Sequence, residues 1–217
     1  MGNRAEAFLS IAPDIASYEE YRRIIIDHVY TVKLQHWDKT IRILSSQALG
    51  RLAPLDVSHV GDEVVQYLLK NSLDERNIHL RHGSVLGLAE TILAFGKLRK
   101  ANGGSFDGLL SEHSLLEIAE MVPAIEKKRL YRGKDGEQMR AAVCRLIECI
   151  SIAGVHLTVP QQVSRESSRC WKPANPSVSN LFGSMFYNRF GFLTRLTLVF
   201  HTQMKKSKNK PQWHYPI

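Results

Sequence analysis

An internal repeat is the feature of this sequence that most limits how it can fold. Shifting the chain by 39 residues places Ile41-Arg42 over Leu80-Arg81. The same shift places Asp38 over Asn77, and a third apolar-arginine pair, Met139-Arg140, follows 59 residues after the second. A period near 40 residues with two helices per unit is typical of HEAT and armadillo repeats. The sequence therefore predicts an all-α fold, an α-solenoid of HEAT/armadillo-like helical repeats.

Apolar residues recur at helical spacing from Ser17 onward, and no convincing strand alternation interrupts them. Ser17 with Glu20 and Ser114 with Glu117 match the capping box that begins many helices. Asp38 is expected to cap the second helix, which should stop at Pro54. The predicted inward-facing residues of the six helices are Tyr21, Ile24, Ile25, Val29 and Val32; Ile41, Leu44, Ala48 and Leu52; Val60, Val64 and Leu68; Val85, Leu88, Ala89 and Ile92; Leu115, Ile118, Ala119 and Val122; and Met139, Val143, Leu146, Ile147 and Ile150.

The fourth helix, which begins near Asn77, contains the stretch HLRHGSVLGLAE and is apolar on more than one side. Such a helix is expected to lie between neighbours. Gly83 and Gly87, one turn apart, would allow another helix to approach closely. The glycine-rich segment ANGGSFDG, residues 101–108, is expected to be an exposed loop.

Arginines recur in the first turns of the predicted helices. An acidic or amide residue four positions earlier can either bond the arginine or cap the helix. Asp38 with Arg42 and Asn77 with Arg81 are therefore two occurrences of the same structural pattern. We interpret Arg42, Arg81 and Arg140 as structural contacts between stacked repeats. The alternative is that they contact a partner.

The charge distribution separates two regions, a helical-repeat segment at 1–157 and a basic tail at 158–217. The first carries 20 Lys+Arg against 20 Asp+Glu, and the tail carries 9 against 1. A nucleic-acid binder needs a basic stripe along a folded face, which the neutral segment lacks. The run at 205–210, KKSKNK, is interpreted as solvated charge. Residues 181–200 are rejected as a membrane span because two arginines lie within them.

Candidate reactive residues do not combine into a catalytic or metal site. His79 and His82 lack a third ligand at helical spacing, and His28 is expected to be a core histidine. Cys144 and Cys149 project about 140° apart on a helix and are interpreted as small buried hydrophobes. The chain also lacks the phosphate-binding, dinucleotide-binding and nucleophile-elbow motifs. We therefore expect no enzyme active site, no cofactor and no metal.

Three segments, 26–53, 79–90 and 131–148, closely resemble the tubulin-specific chaperone D family, also called tubulin-folding cofactor D. The resemblance covers residues 1–157 and implies a segment of a longer HEAT-like solenoid. Beyond residue 157 the sequence departs from the family's pattern, and we expect a poorly ordered tail. The markers of the resemblance are His36-Trp37-Asp38, Leu80-Arg81-His82-Gly83, Tyr131-Arg132-Gly133, Met139-Arg140 and Ala142-Val143-Cys144.

The resemblance implies a non-enzymatic scaffold that binds β-tubulin after the chaperonin and helps to join it to α-tubulin. It also implies other tubulin-folding cofactors and an Arf-like small GTPase as partners, and participation in stimulating GTP hydrolysis by tubulin. A second hypothesis is a GTPase activator with Arg132 as an arginine finger. A third is a generic HEAT-repeat adaptor without tubulin specificity. Few cysteines and no export signal indicate the cytoplasm, with association to the microtubule cytoskeleton implied by the family.

Overall fold

The computed structural model describes residues 4–131 and 136–155, which lie in one compact unit, Met1–Thr158. These residues form helices and no strand, so the all-α prediction is confirmed. α4 is composite, since a π-helical turn, Val60–Val64, separates Val57–His59 from Val65–Ser72. The other helices are α1 (Arg4–Ala16), α2 (Glu19–His28, continued by a π-helical turn Val29–Lys33), α3 (Lys39–Leu52), α5 (Ile78–Ala101), α6 (Glu112–Lys127) and α7 (Gly136–Ala153).

The helices stack in two layers. In the first layer α1 contacts α3, α3 contacts α5, and α5 contacts α7. In the second layer α4 contacts α6, and the rings of Tyr30 and Tyr67 join the end of α2 to α4 edge-on at 5.0 Å. Short turns connect α2 to α3 and α4 to α5. This stacking of helix pairs is the HEAT-like arrangement that the repeat period predicts.

α5 is the central helix of the unit because α3, α4 and α7 all pack against it. Its apolar residues are buried on more than one side, as predicted. Burial of a side chain the size of leucine or phenylalanine contributes about 1.5–3 kcal/mol, so this helix carries a large share of the core. Its fully buried apolar side chains are Val85, Leu88, Ala89, Ile92 and Phe95.

Glycines permit the close packing of α5, as predicted for two of them. A Cβ atom at Gly83 would lie 1.7 Å from the carbonyl oxygen of Leu34, and one at Gly87 would lie 2.6 Å from the Leu34 side chain. At the other end of α5, a Cβ at Gly96 would lie 2.5 Å from Cα of Ala153 in α7. A larger residue at Gly83 or Gly96 would meet main-chain atoms of Leu34 or Ala153, which cannot rotate away.

The capping residues at two helix starts are as predicted. The Asp38 side chain accepts from the N–H of Thr40, and the Asn77 side chain accepts from the N–H groups of His79 and Leu80. The two residues that the repeat superposes therefore perform the same task. Capping of this kind stabilises a helix by about 1 kcal/mol.

The two predicted capping boxes are wrong. The Ser17 hydroxyl donates to the carbonyl of Asp14, and α2 begins after Tyr18 without a side-chain cap. In α6 the capping residue is Ser111, whose hydroxyl accepts from the N–H of Ser114. A four-residue pattern cannot locate a helix start when serines recur within one turn of it.

The predicted inward face of α2 is wrong at three positions, since Tyr21, Ile24 and Val32 are exposed. Val29 is buried as predicted, and Ile26, which was not predicted to face inward, is buried as well. Three consecutive isoleucines precede the π-helical turn, so apolar spacing is compatible with two orientations of the helix. Packing against the neighbouring helices selects the second one.

The later helices bury most of the predicted core. α3 ends before a short 3-10 turn that contains Pro54, and α6 continues through Pro123. In the glycine-rich loop 101–108 every residue except Phe106 is exposed. The predicted core residues that are buried in α3, α4, α6 and α7 are Ala48, Leu52, Val60, Val64, Leu68, Ile118, Val122, Met139, Val143, Leu146 and Ile150.

Across residues 4–131 and 136–155, no helix has the length and hydropathy that a membrane crossing requires. Residues 181–200, which we rejected as a membrane span from the sequence, lie outside those ranges. The proposed tail at 158–217 also lies outside them. The division into a repeat segment and a tail therefore stays a prediction.

Replacing Gly83 with alanine should lower the free energy of unfolding by about 3 kcal/mol, because the Leu34 carbonyl that the new methyl group meets is main chain and cannot rotate away. Urea unfolding followed by circular dichroism at 222 nm measures the effect. Ser84→Ala is the matched control, since it changes the next residue of the same helix without adding volume. Equal stability of the two variants would contradict the close approach.

Candidate functional site

A buried arginine is the centre of the candidate site. Arg42, in the first turns of α3, is only 1% exposed. Its Nη1 donates to the carbonyl oxygens of His36 at 2.7 Å and Trp37 at 2.8 Å. Its Nε donates to Nδ1 of His82 at 3.0 Å, and its Nη2 donates to the Gln138 side chain at 2.9 Å. A guanidinium buried this deeply is stable only because its donors are used in this way.

These contacts bring the beginnings of three helices to one edge of the unit. Arg42 belongs to the first turns of α3, His82 to those of α5 and Gln138 to those of α7. One side chain therefore links three successive helices of the first layer. The interpretation of Arg42 as a contact between stacked repeats is confirmed by this geometry.

His82 is held in its neutral form. Burial, together with the positive charges of Arg42 and Lys39 and the nearby His79, lowers the pKa of His82 to about 3. Because Arg42 donates to its Nδ1, the ring proton lies on Nε2. Nδ1 of His79 also lies within bonding distance of Arg42, at 3.2 Å. The two histidines therefore surround an arginine, and this positive charge opposes binding of a metal cation.

The side chain of Trp37, whose carbonyl accepts from Arg42, extends into solvent. It is 75% exposed, the highest value among the large apolar side chains in the described ranges. Its ring lies 5.3 Å from that of His36, tilted by 31°. The N–H of Asp38 donates to Nδ1 of His36 at 3.0 Å. Main-chain and side-chain bonds therefore hold the segment on both sides of the tryptophan.

Arginines near three other helix starts hold turns in place. Arg22 in α2 donates to two carbonyls of the turn between α1 and α2. Arg81 donates to the carbonyl of Asp74, and Arg140 donates to that of Tyr131. Arg81 and Arg140 thus secure the turn before their own helix, whereas Arg42 also reaches neighbouring repeats. Arg22 was not found from the sequence because α2 belongs to the other layer and does not match the offset of 39.

The two cysteines of α7 have the properties of buried thiols. Burial raises the pKa of Cys144, and it raises the pKa of Cys149 to about 12. Both thiols are therefore protonated near neutral pH, which disfavours nucleophilic chemistry. Among the side chains that the structure describes, no group of three or more His, Cys, Asp and Glu could hold a metal ion.

The histidine prediction in the second layer needs correction. His28, expected in the core, is exposed. The buried histidine is His59 at the start of α4, whose Nε2 lies 2.8 Å from the carboxylate of Asp27. This contact ties α4 to α2. Apolar spacing could not reveal it, because the partners come from different helices.

Arg132, the proposed arginine finger, lies outside the described residues. The groups that bond Arg42 include two main-chain carbonyls, two imidazole rings and the amide of Gln138. Chemically, the arrangement can hold a main-chain segment rigid and present Trp37 at its surface. Its geometry is suited to holding a binding surface.

Together, the two-layer stack and the buried arginine cluster define a helical-repeat protein with an exposed aromatic residue at one edge. The chain is distantly related to tubulin-specific chaperone D of Dictyostelium discoideum, with 23% identity over 181 residues. The match covers 83% of this chain and 11% of that protein, so it reaches into residues 158–217, which the sequence markers did not include. No family model and no solved structure matches the sequence.

Replacing Arg42 with methionine should lower the free energy of unfolding by about 3–5 kcal/mol, since buried carbonyl and amide groups would lose their donor. Arg23→Met is the matched control, because Arg23 forms an exposed ion pair with Asp56 at 3.1 Å. Its loss should cost about 1 kcal/mol or less. Chemical denaturation measures both, and similar losses would show that the Arg42 cluster is not a central stabilising contact.

Stability should fall in mild acid because of His82. The pKa of His82 in the folded chain, about 3, lies below its unfolded value of about 6.5. The contribution of neutral His82 to the free energy of unfolding is complete above pH 6.5. It is lost as the pH falls from 6.5 towards 3, because only the unfolded chain then binds the proton. Between pH 7.5 and 5.5 the loss is about 1.4 kcal/mol.

Comparison with His82→Asn isolates this effect from the other histidines. The asparagine oxygen occupies the position of Nδ1 and can still accept from Arg42, but it does not titrate. Urea unfolding at pH 7.5, 6.5 and 5.5 should show a shallower decline for the variant. Parallel declines would mean that His82 is not the buried neutral group.

Proposed function

We propose that the chain is a non-enzymatic helical-repeat scaffold that binds β-tubulin during tubulin folding and assembly of the α/β-tubulin heterodimer, in the cytoplasm and at the microtubule cytoskeleton. The chain spans about a tenth of the length of its relative. For the longer protein, we extend the proposal to contacts with other tubulin-folding cofactors and an Arf-like small GTPase, and to participation in GTPase activation.

The observation that supports this proposal is the convergence of the marker segments on Arg42. His36-Trp37-Asp38 precedes α3, Leu80-Arg81-His82-Gly83 begins α5, and Met139-Arg140 lies in the first turns of α7. These segments are far apart in the sequence, yet the contacts of Arg42 bring their helix ends to one edge. Three of the five marker groups therefore lie at one edge of the described unit.

The architecture is suited to binding a large protein. Stacked helix pairs create an extended surface instead of an enclosed pocket, and repeat proteins use such surfaces to bind other proteins. Residues 1–157 carry equal numbers of basic and acidic residues, which disfavours a nucleic-acid backbone as the partner.

Binding of the purified chain to immobilised β-tubulin, released from the chaperonin, tests the proposal. We expect saturable binding that survives washing at physiological salt. Serum albumin on the same surface is the control for nonspecific adsorption. A folded chain, verified by circular dichroism, that fails to retain tubulin would contradict the proposal and favour a generic HEAT-repeat adaptor.

A further inference from the structure

We propose that Trp37, with Lys33 and Lys39 on either side of it in the sequence, is the contact point for an acidic segment of the partner protein. This inference rests on the proposed function and adds the location and chemistry of the contact. Trp37 is the central apolar residue of this site, and the two lysines supply its charge.

The segment that carries Trp37 is held rigid by hydrogen bonds. Arg42 donates to the carbonyl oxygens of both His36 and Trp37, and the N–H of Asp38 donates to the His36 ring. Binding loses less conformational entropy when the contacting segment is already fixed. A tryptophan on such a segment can be buried by a partner at low entropic cost.

The Trp37 side chain is largely exposed to solvent. Trp37 leaves a large apolar surface in water, although a turn before a helix could carry a small polar residue at that position. Tryptophan is among the residues most enriched where single side chains dominate binding energy. The hydrogen bonds that hold this segment involve the main chain of Trp37 and not its indole ring, whose ring contact is with His36.

The positive charges of Lys33 and Lys39 favour an acidic partner. Among the described side chains, neither Lys33 nor Lys39 forms an ion pair with a carboxylate. The carboxylate of Asp38 is occupied by the N–H of Thr40. The edge also contains the starts of α3, α5 and α7, where aligned peptide dipoles favour negative charge. A partner segment with carboxylates beside an apolar residue complements these groups.

Tubulin binding by Trp37→Ala tests the apolar part of the inference. Alanine keeps the carbonyl that accepts from Arg42, so the variant should retain the wild-type unfolding midpoint. We expect at least tenfold weaker binding. Leu116→Ala is the matched control, because Leu116 is 54% exposed on α6, and its affinity should stay within twofold of wild type.

A charge-reversal variant, Lys33→Glu with Lys39→Glu, tests the electrostatic part. It should also bind at least tenfold more weakly, and the wild-type affinity should fall as salt is added. Lys100→Glu with Lys127→Glu makes the same change in net charge at two exposed lysines on other helices. A similar loss in both double variants would show a general effect of net charge and overturn the inference.

Two further probes separate this inference from the proposed function. One is a fluorescein-labelled glutamate-rich peptide that contains one phenylalanine, and the other is single-stranded RNA of similar length, both followed by fluorescence anisotropy. If the peptide binds in a Trp37-dependent manner while tubulin does not bind, the proposed function fails and the inference stands. If tubulin binds wild type and Trp37→Ala equally, the inference fails and the proposed function stands.

The remaining outcomes are also decisive. Trp37-dependent binding of RNA without binding of the peptide would overturn the choice of an acidic protein segment. An absence of binding to tubulin, peptide and RNA alike would overturn both proposals.

Discussion

Burial of the Arg42 guanidinium is the interaction on which this part of the chain depends. Removing a charge from water is costly, and the cost is offset here by acceptors from the turn before α3, from α5 and from α7. Since those acceptors belong to three successive first-layer helices and the turn before the first of them, the arginine is satisfied only when these helices stack in one register. A single side chain thus couples local turn geometry to the arrangement of the repeats.

The same register requires close contact along α5. Glycine at position 83 lets the helix pass over the carbonyl of Leu34, and Gly96 lets it approach Ala153. Between these two points the buried apolar side chains of α5 fill the space towards α3, α4 and α7. Polar contacts at one edge and small residues at both ends therefore favour the same packing.

A stable frame of this kind separates structural residues from those available for binding. Arg42 and His82 are buried inside the unit and bonded to each other, while the indole of Trp37 extends from a main-chain segment to which Arg42 donates. In the second layer, His59 and Asp27 join α2 to α4 without contributing to that edge. Binding at the Trp37 edge would require no rearrangement of the core.

The amino-acid sequence alone was sufficient for the features that depend on local spacing. The all-α class, the caps at Asp38 and Asn77 and the close approach at Gly83 follow from residues within a few turns of one another, and the repeat period follows from comparing similar segments along the chain. The orientation of α2, the contact of His59 with Asp27 and the partners of Arg42 needed the tertiary structure. Each depends on how one helix is rotated against another, and apolar periodicity is compatible with more than one rotation until neighbouring side chains must share the same space.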